Sequence, residues 1–286
     1  MTGTLYVVAT PLGNLQDASL RMRKVLAEVD LIVAEDTRVS RNLLQALGLP
    51  HIPMISSFEG NEAQRAEEIA CRLQQGISVA LVTDAGTPCI SDPGDRAVAA
   101  ARDIGAHIVP VPGPCAVSAA LSVSGFPASR FYFEGFLPAK GKERSQRLEE
   151  ISKITETLVL YESPHRLAQT LHDLAVTLGN ERKCVLCREL TKHFETILSG
   201  TLGEMDRNSS EIEIRGEITL VIEAAKKQKK IIDILLLEKE ILRLRKMDLA
   251  VRMVAEILSP WVGISKSQLY EIIIKFEKEN EKFQGE

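Results

Sequence analysis

The sequence predicts an α/β protein of two domains followed by a small helical extension, and three observations lead to that class. Through the first 128 residues short β-branched runs alternate with amphipathic stretches, the pattern of a mainly parallel sheet. After a Gly-, Pro- and Ser-rich segment at 122–130 (SVSGFPASR) the text becomes strand-rich, and from Lys226 it becomes rich in Leu, Ile and Lys and reads as helix. The expected division is therefore 1–125, 126–225 and 226–286. A length of 286 residues suits two domains, and 45% hydrophobic with 26% charged residues can bury a core.

Taken in order, the strand-like runs of the first part are 5–9, 31–34, 79–82 and 108–111. Residues 61–73 (NEAQRAEEIACRL) have near-helical apolar spacing, with Gly76 just beyond as a stop. In the second part the runs 131–134, 157–161, 184–187 and 217–223 read as strands. Phe131, Tyr132, Phe133 and Phe194 are expected in the core, with Tyr132 or Phe133 as the alternative stacking surface for a base. Cys184 and Cys187 form a C-x-x-C, but on a strand residues three apart face opposite ways and no second pair exists, so neither redox nor metal use is expected. The extension opens with Lys226, Lys227, Lys229 and Lys230 and continues through helical text to Lys278.

Thirty-five Lys+Arg against thirty-nine Asp+Glu leave a net charge of −4, which excludes a uniformly basic nucleic-acid binder. A polyanionic partner must be held by a local patch. The first residues lack a basic stretch followed by a long apolar run, and no segment approaches ~18 uninterrupted apolar residues, so a cytoplasmic protein without membrane contact is expected. Five cysteines make no disulfide framework, and His51, His107, His165, His172 and His193 lack ligand spacing with them, so no metal is expected.

The informative residues follow the first-part strands: Thr10-Pro11-Leu12-Gly13-Asn14, Glu35-Asp36-Thr37-Arg38, residues 84–94 (DAGTPCISDPG), and Pro112-Gly113-Pro114-Cys115-Ala116. In a parallel sheet these loops gather at the carboxyl edge, where open α/β sheets bind ligands. Gly86 and Gly113 let backbone approach a ligand, and the prolines limit loop entropy. There is no G-x-G-x-x-G and no P-loop, because Gly141-Lys142 is followed by Glu143 and lacks the upstream glycine. Backbone, small residues and the carboxylates Asp84 and Asp92 suit a ligand with a cationic part and an adenine-like plane better than a triphosphate.

The segments VATPLGN, AEDTR, TDAGTPCISDPG, VPGPCA, FEGFLPAKGK, LYESPHR, RELTK and RGEITLVIE, in this order over residues 8–223, resemble the ribosomal RNA small subunit methyltransferase I family of the tetrapyrrole methylase superfamily. AGTP and PGPCA indicate the superfamily; AEDTR, FLPAKGK, YESPHR and RELTK together point to its RNA-modifying branch. The extension, at 249–257 and 266–272, resembles that family's carboxyl-terminal piece more loosely. The resemblance implies a two-domain, non-Rossmann methylase fold, a homodimer, S-adenosylmethionine in the cleft between the domains, and 2′-O-methylation of a cytidine in 16S rRNA of the small ribosomal subunit. It implies cofactor contacts from Pro11, Ala85, Gly86, Thr87, Ile90, Cys115, Ala116, Glu162 and Leu190. Where relatives often carry histidine before Asn-Glu, this chain has Phe58-Glu59-Gly60-Asn61-Glu62.

A sulfonium is already a strong electrophile, so methyl transfer needs in-line placement of a hydroxyl and help with its proton. The candidate bases are Glu35, Asp36, Glu162, His165, Glu189, Lys192 and Glu195, of which Lys192 and Glu162 are preferred because their motifs should overhang the cleft. Each carboxylate among them could equally be an ion-pair partner for Arg38, Arg166 or Arg188. For RNA, Lys140, Lys142 and Arg144, with Arg147 beyond, form the local basic patch. The competing readings are a related methylase acting on a tetrapyrrole or a protein, and a non-catalytic RNA-binding assembly factor.

Overall fold

The computed structural model describes residues 2–211, 215–225 and 234–283. The chain divides into two compact units, 1–225 and 226–286.

The first unit opens with alternating strands and helices: β1 (Thr4–Val8), α1 (Leu20–Glu28), β2 (Leu31–Ala34), α2 (Thr37–Ala46), β3 (Met54–Ser56), α3 (Glu62–Gln74), β4 (Val79–Val82), α4 (Asp95–Asp103), β5 (His107–Val111) and α5 (Ala116–Ser124). All strand pairs are parallel and the order is β3-β2-β4-β1-β5. Every residue of β2 and β4 is buried, as expected of interior strands covered by helices on both faces. On one face Met22 and Leu26 of α1 pack with Ile32, Ala80 and Val8; on the other Ile69 and Leu73 of α3 pack with Leu5, Val33 and Leu81. The sequence reading missed β3, whose three residues are too few to show a period. It placed α3 within a residue at each end.

Helix α5 ends at Gly125, which takes a left-handed conformation, and the chain passes into a second sheet. Its elements are β6 (Phe131–Phe136), α6 (Gly141–Ser152), β7 (Thr157–Glu162), α7 (Leu167–Leu178), β8 (Lys183–Arg188), β9 (Thr196–Thr201), α8 (Leu202–Arg207) and β10 (Ile218–Ile222). The order is β6-β7-β10-β8-β9, parallel only between β6 and β7. One face buries Leu158, Leu160, Leu186 and Leu220 against Leu171 and Leu174 of α7. The other packs Val159, Val185 and Val221 against Val117, Ala120 and Leu121 of α5, together with Leu12 from the loop after β1. The helix that begins in the PGPCA loop therefore seats the first sheet's loops on the second sheet.

Cys184 and Cys187 lie on opposite faces of β8, in different core clusters, and both are free thiols. Phe131 and Phe194 correct the expectation of core aromatics: they are 45% and 66% exposed, because β6 is an edge strand and Phe194 lies in the loop leading to the other edge strand. Tyr132 and Phe133 pack against the cores of opposite faces. Strand β9 was missed because exposed residues dominate it and give no apolar alternation.

The second unit contains α9 (Ile234–Lys246), α10 (Val251–Val262) and α11 (Lys266–Phe283), packed around Leu237, Ile241, Val254, Leu258, Leu269 and Ile273. Lys226, Lys227, Lys229 and Lys230 lie outside the described residues. Among the described residues no helix is long and apolar enough to cross a membrane.

Candidate active site

All four punctuated loops leave the carboxyl ends of their strands on one side of the first sheet, and hydrogen bonds tie them together. Thr10, fully buried, forms an isolated antiparallel bridge with Gly86 (2.8 and 3.1 Å) while its hydroxyl donates to the Thr83 carbonyl at 3.2 Å. The Thr87 hydroxyl donates to the Pro114 carbonyl at 2.9 Å, joining the AGTP and PGPCA loops. Glu35 accepts from the Thr83 hydroxyl at 2.6 Å and from the Asp84 amide at 3.3 Å, and Asp84 accepts from the Asp36 amide at 3.1 Å. The Phe58–Glu62 segment is part of this scaffold: the Glu62 carboxylate accepts from the Gly94 amide at 2.6 Å, and Asn61 accepts from the Phe58 amide at 2.8 Å.

Between these loops and the second sheet lies a cavity of about 380 Å³, within the range of small-molecule sites. Its first wall is Leu12, Glu35, residues 83–87, Ile90, Asp92, Cys115 and Ala116; its second is Phe136, residues 161–164 and 216–219. Of the expected cofactor residues, Ala85, Gly86, Thr87, Ile90, Cys115, Ala116 and Glu162 line this cavity. Pro11 and Leu190 do not reach the wall: Pro11 is buried in its loop, and Leu190 is packed with Leu12, Val185 and Cys187 under it. Phe136, Tyr161 and residues 216–219 were missed as site residues. RGEITLVIE marked the last of these as a motif, but sequence gave it no role.

The wall is acidic. Burial, reinforced by Glu35, pushes the Asp92 carboxyl up to about 6, and burial also raises Asp84. Gly86 has φ +86, which L side chains rarely adopt, and a Cβ there would lie 3.2 Å from Leu12. The glycine therefore keeps backbone at the cavity surface, and its replacement by valine would strain the loop as well as fill the space.

The RELTK loop sits beside the cavity. Lys192 Nζ pairs with Glu189 at 2.9 Å and with the wall residue Glu217 at 3.2 Å. Burial lowers the affinity of this ammonium for its proton, but the hydrogen bond to Glu189 and the charge of Glu217 outweigh it, so the pKa stands above that of an ordinary lysine. The Lys192 chain runs across Gly13, where a Cβ would lie 2.3 Å from Lys192 Cγ. Lys192 is consequently held as a cation between Glu189 and Glu217. Glu162, with a fully buried side chain, accepts from the Thr170 hydroxyl at 2.5 Å and the Ser163 amide at 2.7 Å and faces Arg166 Nε at 3.4 Å. Its oxygens are engaged, so it positions the YESPHR segment and is not an open base.

Arg144 corrects the expected basic patch. Only 7% of it is exposed: it donates to Asp173 at 2.8 Å, to Thr170 at 2.9 Å and to the Pro138 carbonyl at 2.9 Å. Helical periodicity turns it inward from a segment that reads as uniformly basic. Arg147 is held by Glu134 and Glu150. Lys140 and Lys142 remain exposed, and neither forms an ion pair among the described residues. Among those residues no group of three His, Cys, Asp or Glu is arranged to hold a metal ion.

Two different sheets joined through a helix, with a cleft built from loops of the parallel sheet, define the methylase class: residues 4–206 match the family described as Tetrapyrrole (Corrin/Porphyrin) Methylases. Similar folds include a cobalt precorrin-4 methyltransferase (TM-score 0.57, 19% identity, 77% of this chain and 94% of that one) and a diphthine synthase (TM-score 0.59, 13% identity, 77% and 90%). Curated relatives named Ribosomal RNA small subunit methyltransferase I include those of Xylella fastidiosa, 46% identical over 79% of this chain and 83% of that protein, and Haemophilus influenzae, 42% identical over 95% and 96%. The Escherichia coli O157:H7 protein of that name is 42% identical over 96% and 95%. The chain belongs to this ribosomal RNA small subunit methyltransferase I family within the tetrapyrrole methylases.

Proposed function

We propose that the protein transfers a methyl group from S-adenosylmethionine to the 2′-hydroxyl of a cytidine in 16S rRNA of the small ribosomal subunit, acting as a cytoplasmic homodimer. The observation that supports it most is the 42% identity over nearly the whole chain to relatives named for small-subunit rRNA methylation. The cavity is in keeping with it. Gly86 leaves backbone exposed for an adenosine, and Glu35, Asp84 and Asp92 complement a ligand carrying a sulfonium and an ammonium group. Ala85, Thr87, Ile90, Cys115 and Ala116 would complete the cofactor's seat. When bound, S-adenosylmethionine supplies the electrophilic methyl group.

The chain's own residues supply placement and charge. Lys192, held protonated beside the wall, stabilises the negative charge that grows on the ribose oxygen as its proton leaves. Glu217, on the wall with an exposed side chain and ion-paired to Lys192 at 3.2 Å, is the carboxylate placed to take that proton. Glu162 fixes the second wall. The similar folds include uroporphyrin-III and cobalt precorrin-4 methyltransferases at 15–19% identity, a likeness of fold alone, which does not favour a tetrapyrrole substrate.

Nucleoside mass spectrometry of small-subunit rRNA, from cells with and without the gene, tests the reading. Loss of one equivalent of 2′-O-methylcytidine per subunit is the expected result, and unchanged levels would overturn it.

A further inference from the structure

We infer that Phe136 is the stacking platform for the target nucleobase, so that the protein acts on an unpaired nucleotide; this rests on the rRNA reading above. Phe136 is the last residue of β6 and the first of FLPAKGK, and it lies on the cavity wall, yet it is 51% exposed. Its ring meets Tyr161 at 5.7 Å between centroids and 62° between planes, and Tyr161 is held in turn by Phe133 at 5.0 Å. The ring is thus fixed from behind while much of its surface remains open. An aromatic face left open on a cavity wall offers a planar ligand a surface to stack on.

The charge distribution narrows the occupant. Glu35, Asp84, Asp92 and Glu217 make the cavity unfavourable for phosphate, so an RNA backbone must be held outside it. Lys140 and Lys142, exposed and without ion pairs among the described residues, follow Phe136 by four and six positions, and α6 begins between them. A neutral base can enter an acidic cleft where a phosphate cannot, and a fixed aromatic ring holds it by stacking, worth ~1–3 kcal/mol per base. A base within a duplex has both faces covered, so stacking on Phe136 requires an unpaired one.

The test uses the full chain with small subunits from cells lacking the gene, measuring methyl transfer at varied subunit concentration, and S-adenosylhomocysteine binding by calorimetry. Phe136→Ala and Phe136→Leu should each lower kcat/KM roughly 5- to 100-fold, chiefly through KM, while Phe136→Tyr retains activity and all three bind S-adenosylhomocysteine within twofold of wild type. Full activity in Phe136→Leu would mean that an apolar filler suffices and would overturn the platform, as would loss of S-adenosylhomocysteine affinity in Phe136→Ala. A wild-type protein that methylates no rRNA would overturn the parent reading instead, and the platform with it.

Discussion

Asp92 shows how the cavity's chemistry opposes its stability. Its carboxyl, with an ordinary pKa of 3.8 in the unfolded chain, is pushed to about 6 in the fold by burial and by Glu35. Well below pH 3.8 both states are protonated and Asp92 costs nothing; between about 4 and 6 the unfolded chain has lost this proton while the fold keeps it, so stability falls as pH rises across that window and levels off above 6. We expect Asp92→Asn to raise the melting temperature of the ligand-free protein at pH 7.5 and to weaken binding of cationic S-adenosylmethionine, whose affinity for wild type should rise as pH increases through 6. Calorimetry at pH 5 and 7.5 checks both signs, and an unchanged melting temperature would refute the account. Gly13 gives a second residue-scale expectation. A Cβ 2.3 Å from Lys192 Cγ must displace that side chain and disturb its pairs with Glu189 and Glu217. Gly13→Ala should therefore slow single-turnover methyl transfer, and adding Lys192→Ala should slow it little further, since both act on one group.

At the scale of elements, the loop from β6 into α6 combines two kinds of basic residue that sequence alone could not tell apart. Arg144 belongs to a buried network: it donates to Asp173 and to the Thr170 hydroxyl, and Thr170 in turn donates to Glu162 on the cavity wall. Removing one partner of such a buried pair costs about 3–5 kcal/mol. Arg144→Ala should thus lower the unfolding free energy by an amount of that order, read by urea denaturation. Lys140→Ala with Lys142→Ala should leave stability unchanged and flatten the salt dependence of subunit binding by up to about 1.8 units of slope, at ~0.7–0.9 per lost phosphate contact. The contrast explains what was legible in the sequence. Short apolar runs announce parallel strands, with Gly and Pro beside β1, β4 and β5, so β1, β2, β4 and β5 and their loops could be placed, and with them most of one cavity wall. The second wall comes from strand ends, Phe136, Tyr161 and residues 216–219, whose proximity depends on α5 crossing to the other sheet. That crossing has no local signature, and neither has the inward turn of Arg144.

For the whole molecule, the decisive feature is that the cavity's lining spans residues 12–219 and the cores beneath it span 5–222, whereas the helical extension has a core of its own between Leu237 and Ile273. Among the described residues no cavity residue comes from beyond Ala225, where the two compact units divide. A chain ending at Ala225 should accordingly keep both sheets, melt cooperatively and bind S-adenosylhomocysteine within about twofold of the full-length protein, a difference under 0.5 kcal/mol. Retained cofactor binding with reduced methylation of subunits would assign the extension to substrate engagement. Calorimetry on the truncated and full-length chains decides the first point: a truncated protein that folds but fails to bind the cofactor would show that the extension completes the site, contrary to the lining described here.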